Sequence, residues 1–313
     1  MRPKVVFIAG WGRSGTTLLD QVLGQAPGFF SAGELRSIWM DYTCGCGVRV
    51  HRCPFWEPIL EQVVARPRGV SFGRLAATQQ EHVRATPFRL RRLGRLQRTA
   101  ERAEEWSDLR AYARTREALY RRAAELAGCE VVIDSSKNPA DALLLTRLSG
   151  IDVFVIHVVR DPRAAAHSWG KRRLLPDPPA RYFQRFGPLH SSLYWLRWNL
   201  LIETVVRPAV GADYALVRYE DFARSPEDTV RSICRRLGRD DQGVSFSSGS
   251  TLQVEQNHMV DGNPLRFETG ELTIGADRAW VRAMAERDRA LATAAAAPLM
   301  WRYGYRLNDL GER

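Results

Sequence analysis

The first strong pattern in the chain is Val5 to Ala9, five consecutive apolar residues ended by Gly10. A short unbroken apolar run, with no polar alternation, predicts a strand buried on both faces. After the loop GWGRSG, the apolar residues of TTLLDQVLGQA return at helical spacing. The chain therefore opens as strand, glycine turn and helix. The same alternation recurs in EVVID (Glu130 to Asp134) followed by PADALLLTRL, whose Pro139 suits a first helical turn. It recurs again in DVFVIHVV (Asp152 to Val159), followed by a helix over RDPRAAAHSWGKRR that starts with Asp161 and Pro162. YALVRY (Tyr214 to Tyr219) predicts a fourth strand, and SPEDTVRSICRRLG a helix with a Ser cap and a terminal Gly. Ala294 to Ala297 has the composition of a helix interior.

Strands alternating with helices predict an α/β fold, a parallel sheet flanked by helices. Ligands in such sheets bind beyond the carboxyl ends of the strands. Three loops with unusual chemistry follow strand ends here: those after Ala9, Asp134 and Val159. All three are expected to face one crevice. Between the first helix and Glu130 lies an insertion, about residues 42–128, with a Cys-rich loop and an Arg-rich helical stretch from about Arg84 to Arg122. With no linker, repeat or low-complexity tract, residues 1–313 are expected to form a single domain.

Composition adds a constraint on partners. The net charge is +11, and the pI is about 9.9. A partner with negative charge is implied: nucleic acid, an anionic membrane surface or a phosphorylated small molecule. Five cysteines, unevenly placed, do not make a secreted disulfide scaffold. The run VVFIA is too short for a signal sequence, and no later segment reaches membrane-spanning length without charges. The expectation is a cytoplasmic protein.

Gly10 to Thr17 reads G-W-G-R-S-G-T-T. Against the triphosphate loop G-x-x-x-x-G-K-[ST], both glycines and Thr17 fit, while Thr16 occupies the lysine position. Backbone N–H groups and the following helix N-terminus suit a phosphate. Loss of the lysine argues against a triphosphate, and Arg13 places an always-charged fork inside the loop. A second anchor is VVRDPRAAAHS, with Arg160 at a strand end and Ser168 eight residues on, about two helical turns.

GWGRSGTTLL resembles the 5′-phosphosulfate loop of sulfotransferases that use 3′-phosphoadenosine 5′-phosphosulfate (PAPS). VVRDPRAAAHS resembles their 3′-phosphate motif. DSSKNP is similar to a lysine-bearing segment of bacterial members and, more loosely, of tyrosylprotein sulfotransferases. The CGCG…CPFW segment and GNPLRF also look like bacterial sulfotransferase features. The resemblance implies the sulfotransferase variant of the P-loop nucleotide-hydrolase-like architecture and transfer of a sulfuryl group to a hydroxyl of a small-molecule, glycan or lipid acceptor. It further implies that Arg13, Ser14, Gly15, Thr16 and Thr17 hold the 5′-phosphosulfate, and Arg160 and Ser168 the 3′-phosphate.

In-line sulfuryl transfer needs a base for the acceptor proton and positive charge for the leaving phosphate. No metal is required where Arg and Lys supply that charge. Glu34 in SAGELR is the candidate base, and similar enzymes use a Glu in a comparable Gly-Glu segment. The alternative, less favoured, is a carboxylate stabilised by the macrodipole at the start of a short helix LRSIWM. His258 in QNHMVDGN is the alternative base. Lys137, beyond a strand end, would contact the sulfuryl or bridging oxygen. Arg13 also counts among the catalytic cations. Asp134 is expected to be structural, orienting Ser135 or Lys137.

Arg266 in GNPLRF would reach the 3′-phosphate from a late loop, and Tyr219 would pack near the nucleotide or stabilise its strand end. Cys44, Cys46, His51 and Cys53 fall in a C-x-C-x4-H-x-C pattern, which is not a standard zinc spacing. A reduced loop or a reversible disulfide explains it without metal, so no metal site is expected. The aromatics Trp39, Tyr42, Phe55, Trp56, Phe72, Phe88 and Trp106 are candidate acceptor-pocket walls or core.

Two other functions fit parts of the pattern. A small-molecule kinase would use the same loop architecture, against the substitution at Thr16. A nucleic-acid-binding protein would use the Arg84 to Arg122 stretch, which lacks interleaved aromatics and reads more simply as a solvated helix face.

Overall fold

The computed structural model describes residues 2–64, 71–84, 107–175, 181–239 and 244–306. Five strands form one sheet: β1 (Lys4–Ala9), β2 (Phe29–Ser31), β3 (Val131–Lys137), β4 (Asp152–Val159) and β5 (Tyr214–Arg218). Their order is β2-β3-β1-β4-β5, and every pairing is parallel. This is the expected α/β architecture. β2 was not foreseen, because three residues are too few to carry a periodicity.

The unbroken apolar run of β1 is explained by its central place. Val5, Phe7 and Ala9 enter one core, and Val6 and Ile8 enter the core on the opposite face, all fully buried. Around the sheet lie α1 (Thr16–Leu23), α2 (Ser107–Ala127), α3 (Pro139–Leu145), α4 (Pro162–Gly170) and α5 (Pro188–Leu201). Two starts follow the capping logic. Asn138 accepts the Ala140 N–H at α3, and Asp161 accepts the Arg163 N–H at α4. Ser225, expected to cap the helix Pro226–Arg236, makes no side-chain cap bond. Ala294 to Ala297 lie inside the helix Glu286–Arg302.

Because β1 sits between β3 and β4, the chain reverses direction across the sheet at its carboxyl end, where a crevice opens. The loops after β1, β3 and β4 meet there. Indole donors stiffen this edge: Trp195 of α5 donates to the Arg160 carbonyl at 3.0 Å, and Trp198 to the Lys137 carbonyl at 3.2 Å.

The Arg-rich stretch is only partly a solvated face. Arg116 on α2 is completely buried, donating to the Asp134 carboxylate at 2.7 Å and lying 3.8 Å from Asp141. A buried carboxylate must be paired, so this arginine is a core residue. Asp134 also accepts from Tyr120 and from the Ser136 N–H and hydroxyl, so it orients Ser136 where Ser135 or Lys137 was expected. Most of the remaining Arg-rich segment lies outside the described residues. No helix among the described residues is long and apolar enough to cross a membrane.

Candidate active site

The glycine loop depends on backbone conformations that side chains resist. Gly10 has φ 151°, and a Cβ there would lie 2.3 Å from the Val158 carbonyl oxygen of β4. Gly15 has φ 85°, and its Cβ would fall 2.4 Å from the Tyr219 ring. Arg13 adopts φ 70° without being glycine, a costly conformation that tight loops at binding sites retain. Gly15 leads straight into α1, whose first turn receives no side-chain cap, so its N–H groups are left for an anion.

Arg13 is held between the rings of Trp169 and Phe183, 5.0 and 4.5 Å from their centroids. Burial first, then the Arg173 charge, lowers its pKa to about 10, which leaves it cationic at neutral pH. Arg13 Nε and Ser14 Oγ are buried with no hydrogen-bond partner among the described residues. Buried polar atoms of this kind call for a ligand.

Opposite the loop, Glu34 follows Gly33, whose φ of 72° turns the chain, and heads the short helix Leu35–Met40 without capping it through its side chain. Its carboxylate accepts from the Lys137 ammonium and, at 2.9 Å, from Arg36 Nη2. Burial pushes Glu34 upward, but Lys137 and then Arg36 outweigh it and hold the carboxyl at about 2. Lys137 is the last residue of β3, where the strand continues three residues beyond the expected end at Asp134, and it has φ 69°. Asp261 faces the same group. Burial, then repulsion from Glu34, raises its pKa.

These groups converge on a cavity of about 630 Å³. Arg13, Gly15, Thr16, Thr17, Glu34 and Lys137 all line it, together with Arg36 and Asp261, which the sequence reading missed. The other wall is aromatic, built from Trp11, Trp169, Phe183, Phe186, Tyr194 and Trp198. None of these was among the expected pocket aromatics. Trp39 and Phe72 instead pack together near Tyr112, while Phe55 and Trp56 pack around Phe30. Phe88 and Trp106 lie outside the described residues.

Arg160 and Tyr219 form a second cluster beside the loop, and neither they nor Ser168 line the cavity. Arg160 donates to the Arg13 carbonyl at 3.0 Å and to Asp277 at 3.2 Å. Its guanidinium lies 4.4 Å from the Tyr219 ring centroid, and its buried Nε has no hydrogen-bond partner among the described residues. Tyr219 opens the short helix Tyr219–Arg224, where the sequence suggested the end of a strand. Ser168 is buried on α4. Arg266, expected from the sequence to reach the 3′-phosphate from a late loop, lies in the short helix Pro264–Phe267. It is fully buried and donates to the Gly262 and Thr43 carbonyls at 2.8 and 3.1 Å, so its charge serves loop closure.

His258, the alternative base, does not line the cavity, and its Nδ1 lies 3.3 Å from Cys53 Sγ. His51 is not with the cysteines: its Nε2 lies 2.9 Å from the Ile38 carbonyl oxygen, and its ring stacks on Phe72. The His that joins Cys44, Cys46 and Cys53 is His258, over two hundred residues away in sequence from Cys53.

Behind the loop, burial raises the Asp20 carboxyl of α1 from its usual 3.8 to about 7, although Ser135 donates to it at 2.6 Å. The folded protein keeps a proton there that the unfolded chain has lost. The associated stability is complete below about pH 4 and disappears as pH rises through about 7. Asp20→Asn cannot ionise. Its urea midpoint is expected to fall less than that of the wild type between about pH 5 and pH 8, and an equal fall would refute this.

Residues 3–243 match the sequence profile of the Sulfotransferase family. No curated protein sequence matches the chain. Among solved structures, the sulfotransferase domain of the Synechococcus PCC 7002 olefin synthase aligns with TM-score 0.48 at 19% identity, covering 95% of this chain and 94% of that one. The sulfotransferase domain from the curacin biosynthetic pathway gives TM-score 0.48 at 15% identity, covering 98% and 99%. A sulfotransferase from Alicyclobacillus acidocaldarius gives 0.39 at 16%, covering 95% and 96%. With residues 3–243 of its 313 matched, this chain belongs to the sulfotransferase family.

Proposed function

We propose that the chain acts as one domain that transfers a sulfuryl group from PAPS to a hydroxyl of a small-molecule, lipid or glycan acceptor. The observation that carries this is the pairing of the Glu34 carboxylate with Lys137 and Arg36 in a cavity that Arg13 and the uncapped glycine loop also line. PAPS supplies a sulfuryl group on a phosphate that leaves as an anion. The chain's residues fit such a donor, since Arg13 Nε, Ser14 Oγ and Arg160 Nε are buried without hydrogen-bond partners among the described residues. Arg13 and the N–H groups through Thr17 hold the 5′ end, and Arg160, Ser168 and Tyr219 the nucleotide side.

Glu34 receives the proton of the acceptor hydroxyl. Lys137 neutralises charge developing on the leaving oxygen. As Lys137 turns toward the donor it leaves Glu34, whose basicity then rises because burial, the largest influence on it, is no longer outweighed to the same extent. The aromatic wall favours an acceptor with an apolar or ring-bearing body. A cytoplasmic location accords with this reading.

Calorimetric titration with 3′-phosphoadenosine 5′-phosphate, beside ATP with magnesium, tests the donor. Binding of the bisphosphate in the presence of a chelator is expected, with at least about a tenfold loss in Arg160→Ala, on the scale of one charge-assisted hydrogen bond. No binding, or a preference for magnesium-ATP, would overturn the proposal in favour of a kinase.

A further inference from the structure

The Cys-rich loop and the segment that carries Asp261 meet at one point. Sγ of Cys44, Cys46 and Cys53 and one ring nitrogen of His258 all lie within 4.8 Å of one another. Cys46 Sγ is 3.6 Å from Cys53 Sγ, and His258 Nδ1 is 3.3 Å from Cys53 Sγ and 3.9 Å from Cys44 Sγ. Around a tetrahedral zinc, bond lengths of about 2.3 Å to sulfur and 2.0–2.1 Å to nitrogen set edges of about 3.8 Å (S–S) and 3.5 Å (S–N). The two S–N separations bracket the S–N edge, and the Cys46–Cys53 separation is close to the S–S edge.

The histidine is fixed in place. Its ring stacks on Phe55 with centroids 5.2 Å apart, and Trp56 Nε1 donates to its carbonyl at 2.6 Å. Gly45 donates its N–H to the Met259 carbonyl at 2.9 Å, so the two loops are already joined beside the cluster.

We propose that Cys44, Cys46, Cys53 and His258 hold one structural zinc ion. Four protein ligands complete the tetrahedron, so the site is closed and takes no part in sulfuryl transfer. Binding releases the thiol protons to solvent, leaving three thiolates and a neutral imidazole around the dication. The ion clamps the loop at Cys44 to the segment whose Asp261, Gly262 and Asn263 line the cavity three to five residues beyond His258. It thereby sets the position of one cavity wall.

The test is metal analysis of the full chain, purified under reducing conditions from zinc-supplemented expression and then desalted. About one zinc per chain is expected. Cobalt exchanged into the protein is expected to show thiolate charge-transfer and tetrahedral ligand-field bands. Both signals should fall at least tenfold in His258→Ala and persist in Cys129→Ser, whose sulfur lies outside the cluster. Zinc-free protein with all thiols titratable, absence of the cobalt bands, or a Cys46–Cys53 disulfide under these conditions would overturn the proposal. The wild-type spectra decide even if His258→Ala does not fold. Metal content is read without any donor or acceptor, so a failure here is separable from failure of the sulfotransferase reading.

Discussion

Glu34→Gln is expected to lower turnover by about 10²–10⁴-fold, the range for removing a positioned general base. Gln preserves the shape of the side chain and one acceptor for Lys137 or Arg36, so binding of 3′-phosphoadenosine 5′-phosphate should stay within a few fold. The split separates the two possible roles of this residue. A base acts only on the acceptor proton, whereas a residue that merely anchors Lys137 and Arg36 would disturb donor binding as well. Single-turnover rates and calorimetry on the same preparation check it. Retained turnover, or loss of donor binding in step with turnover, would remove Glu34 from the base role.

Lys137→Ala is expected to cost about 10²–10³-fold in turnover, comparable to losing one donor that stabilises developing charge. It should also move the pH profile. In the resting protein Lys137 is the leading influence holding Glu34 down to about 2, against burial that pushes it up. Without the ammonium the carboxyl rises, so the acidic limb of kcat/KM is expected to shift to higher pH. Lys137→Arg should retain the low limb while recovering only part of the rate, because the guanidinium fork cannot occupy the same point. The combined Glu34→Gln, Lys137→Ala variant should lose less than the product of the two single losses, since each residue acts through the other. An unshifted limb in Lys137→Ala would show that the ion pair does not govern Glu34.

Several of these residues were legible before folding was considered. Arg13, Thr16 and Thr17 belong to a local motif whose geometry is written in adjacent residues, and they line the cavity. Glu34 and Lys137 lie in separate segments, and the parallel pairing of β2 with β3 brings them into contact. The aromatic wall was not legible. Trp11 sits inside the glycine loop and Tyr194 and Trp198 on a helix far along the chain, and their spacing resembles that of ordinary core residues. The cysteine pattern misled for a related reason: His51 lies between the cysteines in sequence, but its ring turns toward Ile38 and Phe72. Arg116 misled by composition, because an arginine among arginines gives no sign that two buried carboxylates await it.

The chain by itself determined what depends on neighbours in sequence: the buried strands, the strained glycine loop, the proline starts of α3 and α4, and the family. Apolar runs and φ requirements are local, so they survive reading residue by residue. Tertiary structure alone decided which charges meet, which aromatics face the cavity, and which histidine joins the three sulfurs. Those outcomes rest on side-chain direction and on contacts between residues one to two hundred positions apart. No periodicity along the chain encodes such contacts, and only the assembled sheet with its covering helices specifies them.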